Sequence, residues 1–522
     1  MSVTTSYPGL YIQEIPLDSH AIVPAPTSIA AFVGYSHPFK TPEFGVAVQI
    51  FSFSDYQTYF GGMFSSGLID ASLPRAVYQF FLNGGSVAYV VGLQPGQFES
   101  DGTVIDRLGP GGDFITAKLT TTGGGVIFTA LEPTDVVPMT VTVTNIRSGA
   151  TVFDIVVTYG TRVETHRGVT LGGAPTPDTT INKASTLISV AADVGGWGTA
   201  LPAGPVAPLP LAYTVPAGLA SGFSAADFAP VFAANSSLDK VEIFNLLLVP
   251  GVSDNAVVSE ALAFAERKRA FAIVDPPPQA PAVGLAPPSP IDDWMTGTGV
   301  PMLPTSQNGS LYFPYLTSTD LITGKPIPMA PSGFVAGIYA QTDASRGVWK
   351  APAGLATVLL NTQGPVPSGV MNDPQQGVLN LDSINCLRTF AGVGTVVWGA
   401  RTLVASNQAF AQSMYVPVRR MTLFIEQTLL ANLRWVVFEP NDEPLWVSIR
   451  ASIEAFMLSL FRQGALQGST PSQAFQVKCD STTTSATDQQ NGIVNIVVAF
   501  APLKPAEFVV IQIAQLAGQT NS

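Results

Sequence analysis

At 522 residues the chain is too long for one ordinary hydrophobic core, so two or more packed units are expected, one of them inserted in another. Only 11% of the residues are Asp, Glu, Lys or Arg, against about 25% in an ordinary soluble domain, and the mean hydropathy is +0.32. So sparse a charged surface fits either a membrane protein or a subunit that covers itself with further copies, and the net charge of -12 excludes broad binding to nucleic-acid phosphates, which needs clustered Lys and Arg.

The first element is YPGLYIQEIP (7–16), an extended segment closed by Pro8 and Pro16 and too short to own a core. Residues 1–20 therefore read as an arm whose apolar positions are Leu10, Tyr11, Ile12 and Ile15. No basic start followed by an apolar run is present, so no secretory signal is expected. IAAFVG (29–34) and SVAYVVG (86–92) read as strands, with a helix through Leu73 to Leu82 between them, which makes 21–96 the first part of an α/β core.

From about Gln97 the texture turns to Gly, Thr, Val and Pro. Alternating runs at Met139 to Val143 and Val152 to Tyr159, separated by Arg147-Ser148-Gly149, read as hairpin strands. Residues 97–235 are thus expected to be an inserted β-rich domain. The α/β texture then returns with a strand at Val241 to Val249, a helix from about Asp254 to Arg269 and a strand at Phe271 to Val274, a βαβ unit that opens a domain over 236–384. The basic run ERKR (266–269) reads as a solvated helix end favoured by the dipole, and the Pro-rich stretch 276–290 as a surface loop.

Two amphipathic helices mark the next domain, 385–505. In the first, Met421, Phe424, Ile425 and Leu429 form an apolar stripe, with Glu426 and Arg434 elsewhere. In the second, Asn441 or Asp442 caps, Pro444 fits the first turn, and Trp446, Ile449, Ile453, Phe456, Met457 and Leu460 share a face until Gly464. Strands are expected at Ile493 to Phe500 and Glu507 to Ile513. The latter makes 506–522 a second arm, with Phe508, Val510, Ile511 and Ile513 as its apolar positions. No apolar run reaches the roughly 20 residues of a spanning helix, so membrane insertion is not expected.

Catalytic motifs are wanting. The three histidines, His20, His37 and His166, show no metal-ligand spacing and all precede the βαβ unit. There is no phosphate-binding loop, and Gly-rich turns such as Gly123 to Gly125 lack its Lys. Cys386 and Cys479 are too few for a disulfide framework and read as quiet thiols. Asp275 follows a buried strand, where α/β folds place functional groups, but it also precedes Pro276, and a turn residue is the preferred reading. Glu439, Asp442 and Glu443 are explained by helix capping. No catalytic residue, cofactor or metal is assigned.

The most informative blocks are SGFVAGIYAQTDASRGVWKAPAG (332–354), LRTFAGVGTVVWGARTL (387–403), YVPVRRMTLFIEQTL (415–429), WVVFEPNDEPLW (435–446) and FRQGALQG (461–468). With YPGLYIQEIP, AAFVG and LYFPYL (311–316) in order, they resemble the contractile tail sheath family over about 1–95 and 240–515. The resemblance implies a multidomain α/β fold with a subtilisin-like core that lacks a catalytic triad, a variable outer insertion and terminal strand arms. It implies a non-enzymatic subunit that stacks in a helical pile of rings, sixfold, around an inner tube protein, with baseplate and terminal cap proteins as further partners. Such a subunit is made in the bacterial cytoplasm and ends in a virion tail or phage-like injection particle. The arms suit strand addition between copies, and Arg419, Arg420, Glu426 and Arg434 of the first C-terminal helix are the inner-tube contact residues to test. A non-contractile scaffold or surface lattice, or a hydrolase on the α/β core, are the competing classes.

Overall fold

The computed structural model describes residues 21–94, 116–212, 223–278, 291, 303–404, 408–508 and 510–512. They fall in two packed units, one within Pro26–Arg420 and one made of residues 21–25 with the described residues from Met421 onwards.

The larger unit is organised on an eight-stranded sheet in the spatial order Gly394–Trp398, Ile384–Phe390, Gly309–Phe313, Phe271–Val274, Leu246–Leu248, Ala30–Tyr35, Ala88–Leu93, Ala47–Ile50. The inner strands run parallel and each edge carries an antiparallel strand. Every residue of Ala30–Tyr35 is buried, as a strand covered on both faces requires. The strand expected over Val241 to Val249 is confined to Leu246–Leu248. Just before it, Asn245 uses its side chain on the main chain, accepting from Ile29 N at 3.0 Å and donating to Pro26 O at 2.8 Å. Ile384–Phe390 and Gly394–Trp398 also belong to this sheet, so the domain boundary expected at 384/385 is misplaced. The LRTFAGVGTVVW hairpin completes the core rather than opening a new unit.

Helix Ser72–Leu82 packs directly on helix Ser332–Arg346. A Cβ at Gly333 would lie 2.4 Å from Ala76 O and one at Gly337 2.5 Å from Asn83 Cβ, so only glycine permits this approach, and the SGFVAG block is explained by it. Asp254 caps helix Asn255–Lys268 by accepting from Ala256 N and Val257 N. Arg267 and Lys268 donate to Phe232 O, Asp239 O and Val241 O, so the ERKR run fastens the helix end to the preceding segment.

The insertion builds a four-stranded antiparallel sheet, Leu209–Leu211, Met139–Arg147, Val152–Tyr159, Arg162–Thr170, and a three-stranded one, Thr116–Thr121, Gly124–Ala130, Ile188–Ala192. The expected turn is present, with Ser148 and Gly149 both at positive φ.

The smaller unit takes up helix Val416–Asn432 from Met421. Met421, Phe424 and Ile425 are buried and Leu429 half-buried. Arg434, expected on this helix, lies instead in the 3-10 turn Arg434–Val436 beyond its end at Asn432. Helix Glu443–Arg462 starts on Asp442, which accepts from Glu443 N, and buries the expected face together with Leu445. It is long and apolar enough to cross a membrane, contrary to the sequence reading, but its buried residues form one stripe packed within the unit. The chain then forms a two-stranded sheet of Phe475–Lys478 and Val497–Phe500, the latter four residues shorter than expected. The strand expected over 507–513 is not formed by its described residues. At the other terminus Val23 exchanges two hydrogen bonds with the Asn432 side chain, at 2.9 and 2.8 Å, which lays residues 23–25 along the first helix of this unit.

Candidate assembly surfaces

A two-stranded ribbon is marginal alone in water. The ribbon Phe475–Lys478/Val497–Phe500 is supported by helix Glu443–Arg462, but among the described residues neither strand has a second partner, and Val497 is half exposed. Unpaired strand edges present rows of N–H and C=O groups that template a further strand. A few residues on, Phe508, Val510 and Ile511 are 74%, 83% and 79% exposed. Three of the expected arm residues are therefore apolar and bare in the isolated chain. Ile513 and the N-terminal set Leu10, Tyr11, Ile12 and Ile15 lie outside the described residues.

Of the four residues named for an inner-tube contact, Arg420 is internal to the larger unit. Arg420 is in the core: it forms a fork on Asp343, Nη1 to Oδ1 at 2.8 Å and Nη2 to Oδ2 at 2.6 Å, with both side chains almost fully buried. Its Nη2 also donates to Thr27 O at 2.8 Å, and its guanidinium lies 4.7 Å from the Tyr339 ring centre. A tube contact by Arg420 is thereby corrected to an internal role, since a buried guanidinium needs all its donors satisfied. Arg419 is half-buried and donates through Nε to Asn308 Oδ1 at 3.0 Å. Glu426 is half-buried, and Arg434 is exposed.

His37, Asp275 and both cysteines are turned inward. His37 is buried after strand Ala30–Tyr35, its Nδ1 accepting from Phe39 N and its Nε2 bonded to Glu132 at 2.9 Å. Both ring nitrogens are committed, and burial lowers its basicity. His166 sits 3.4 Å from Glu164, and His20 lies outside the described residues. Asp275 is more than a turn residue: its carboxylate accepts from Gly251 N, Ser332 N and Ser332 Oγ at 3.0, 2.8 and 2.6 Å, pinning the start of helix Ser332–Arg346 to the carboxyl edge of the sheet. Burial pushes it up to about 6. Both cysteines are buried, and burial pushes the Cys386 thiol up to about 12, so it is a poor nucleophile.

Glu132 and Asp343, the buried partners of His37 and Arg420, went unremarked in the sequence. Each pairs with a residue far along the chain, and no local spacing marks such a partner.

The model of the phage tail sheath protein central domain matches residues 232–403, and that of the phage tail sheath C-terminal domain matches 407–515, together more than half of the chain. A prophage major tail sheath protein of Pseudomonas aeruginosa is 26% identical over 264 residues, 50% of this chain and 62% of that protein. The tail sheath protein of Vibrio phage KVP40 is 25% identical over 185 residues, 35% of this chain and 26% of that protein, so the chain spans less than two thirds of either relative. Among solved structures, the helical sheath of the anti-feeding prophage in its contracted state shares the fold with a TM-score of 0.57 at 22% identity, covering 98% of this chain and 100% of that one. The sheath of an extracellular contractile injection system, also contracted, gives 0.57 at 21% identity, covering 98% and 99%. With the motif blocks between 311 and 468 lying inside one or the other matched region, the chain belongs to the contractile tail sheath family.

Proposed function

We propose that this chain is the structural subunit of a contractile sheath, polymerising into a helical tube around an inner tube protein and shortening from a strained, extended lattice to drive that tube through a target envelope. The observation that carries the proposal is the match between an open-edged two-stranded sheet and the bare apolar residues Phe508, Val510 and Ile511 on the same unit. Each completes the other between copies by adding a strand. The sparse charge and positive mean hydropathy agree with a surface buried in assembly. A head-to-tail contact that does not close propagates as a helix.

In this reading the domains are the arms 1–20 and 506–522, a core that includes the 385–404 hairpin, the insertion 97–235 and a C-terminal domain. The core corresponds to a subtilisin-like sheet without its catalytic triad, and the work of contraction comes from better packing between subunits rather than from turnover. Assembly occurs in the bacterial cytoplasm and the product is a virion tail or phage-like injection particle, with baseplate and cap proteins at the ends and sixfold rings between. Arg419, Glu426 and Arg434 remain the residues proposed for the inner-tube face. Deleting residues 1–16 tests the arm claim. Electron microscopy should then find short or no sheaths from a chain whose circular dichroism is unchanged, and sheaths of normal length would refute it.

A further inference from the structure

From the contacts around Glu132 we infer that the β-rich insertion is bolted to the α/β core at three points and moves with it as one rigid body, rather than hanging from it as a detachable outer decoration.

The first point is a charge node. Glu132 has no solvent exposure, and it follows strand Gly124–Ala130 of the insertion. Its Oε2 meets Nε2 of His37 at 2.9 Å, while its Oε1 accepts from Lys40 Nζ and from Arg162 Nη1, the latter at 2.6 Å. His37 and Lys40 belong to the core, just after its central strand, and Arg162 begins a strand of the insertion. One buried carboxylate therefore joins groups from both parts, and separating them would strip it of His37 and Lys40 and leave Arg162 as its one remaining partner of the three.

The second point is Asp135, whose Oδ2 accepts from Ser66 Oγ at 2.9 Å and Gly67 N at 2.7 Å of a different core segment. The third is a turn of the insertion: Thr161 donates from N to Ile322 O at 2.9 Å and from Oγ1 to Leu321 O at 3.1 Å. At the neighbouring Gly160 a Cβ would lie 2.4 Å from Ile322 O, so the two backbones touch directly. Between these points the apolar interior is continuous, with Val33, Tyr35, Phe64 and Leu68 of the core in one cluster with Phe128, Val141 and Ile155 of the insertion. Three contacts to three separate core segments remove the freedom to swing that a two-linker tether would leave. In a sheath, the insertion then keeps its orientation on the subunit through any change of lattice.

Amide hydrogen exchange of the purified full chain in sub-denaturing guanidinium tests this on the unassembled subunit, so its failure leaves the sheath reading untouched. Coupling predicts that insertion strands Gly124–Ala130 and Val152–Tyr159 open together with core strands Ala30–Tyr35 and Phe271–Val274, with one shared denaturant dependence. Glu132→Gln should split them, the insertion strands exchanging faster by about tenfold or more. Lys118→Gln, which removes a surface pair with Asp193 inside the insertion, should not. If Glu132→Gln does not fold, Lys40→Gln, at the partly exposed member of the node, should give a smaller split of the same sign. Insertion strands that already exchange independently in the wild type, or a pattern unchanged by either node substitution, would overturn the inference.

Discussion

Glu132 and Asp275 are both buried carboxyls, and their surroundings move them in opposite directions. Burial alone would raise Glu132, but His37, Lys40 and Arg162 together outweigh it and hold the carboxyl down to about 2. A depressed acid contributes stability that is complete above its ordinary pKa near 4.5 and is lost as pH falls towards 2, here about 3 kcal/mol. Glu132→Gln should therefore lower the melting temperature at pH 7, and the gap to wild type should narrow as pH drops below 4.5. For Asp275 burial outweighs the hydrogen bonds from Ser332 and Gly251 and pushes it up to about 6, so its neutral form is favoured and its contribution fades as pH rises from 4 through 6, by about 3 kcal/mol. Stability of wild type relative to Asp275→Asn should accordingly fall across that window in thermal melts, and a flat difference would contradict the assignment. Arg420→Ala strands the buried Asp343 carboxylate and should cost about 3–5 kcal/mol in denaturant unfolding. An exposed tube-contact arginine would cost almost nothing by that measure.

At the scale of elements, the arm residues make the sharper prediction. Val510→Asp places a charge on a side chain that is 83% exposed in the isolated chain, so the subunit's melting temperature should not change while sheath polymerisation, read by sedimentation, is lost. A variant that polymerises normally would show that this segment is not an inter-subunit strand. Helices with local signals were legible from the sequence: Asn255–Lys268 with its Asp254 cap, and Glu443–Arg462 with Asp442, Pro444 and a regular apolar stripe. The Val241 to Val249 run was overestimated because Asn245 diverts the backbone bonding that apolarity suggested. The run over 507–513 has the right residues, but its described ones form no strand here, and a β-strand has no hydrogen bonds of its own to hold it. Arg420 was misread for a related reason: two arginines opening a helix invite an external partner, whereas the partner, Asp343, lies 77 residues earlier and cannot be seen by spacing.

For the whole molecule, the alternation of texture along the chain foretold an α/β core interrupted by a β-rich insertion, since the period of apolar residues changes with the element that must bury them. How the insertion is fastened was not legible, because Glu132, Asp135 and Thr161 are ordinary polar residues in sequence and acquire partners only when distant loops meet. Assembly is equally remote from local sequence, and the account of it rests on the open sheet, the bare arm and the family. Its central claim is contraction. Negative-stain electron microscopy of the native particle, before and after triggering with mild denaturant or acid, measures sheath length and diameter directly. A tube that becomes shorter and wider and exposes an inner tube is the predicted result, and a lattice of unchanging dimensions would contradict it.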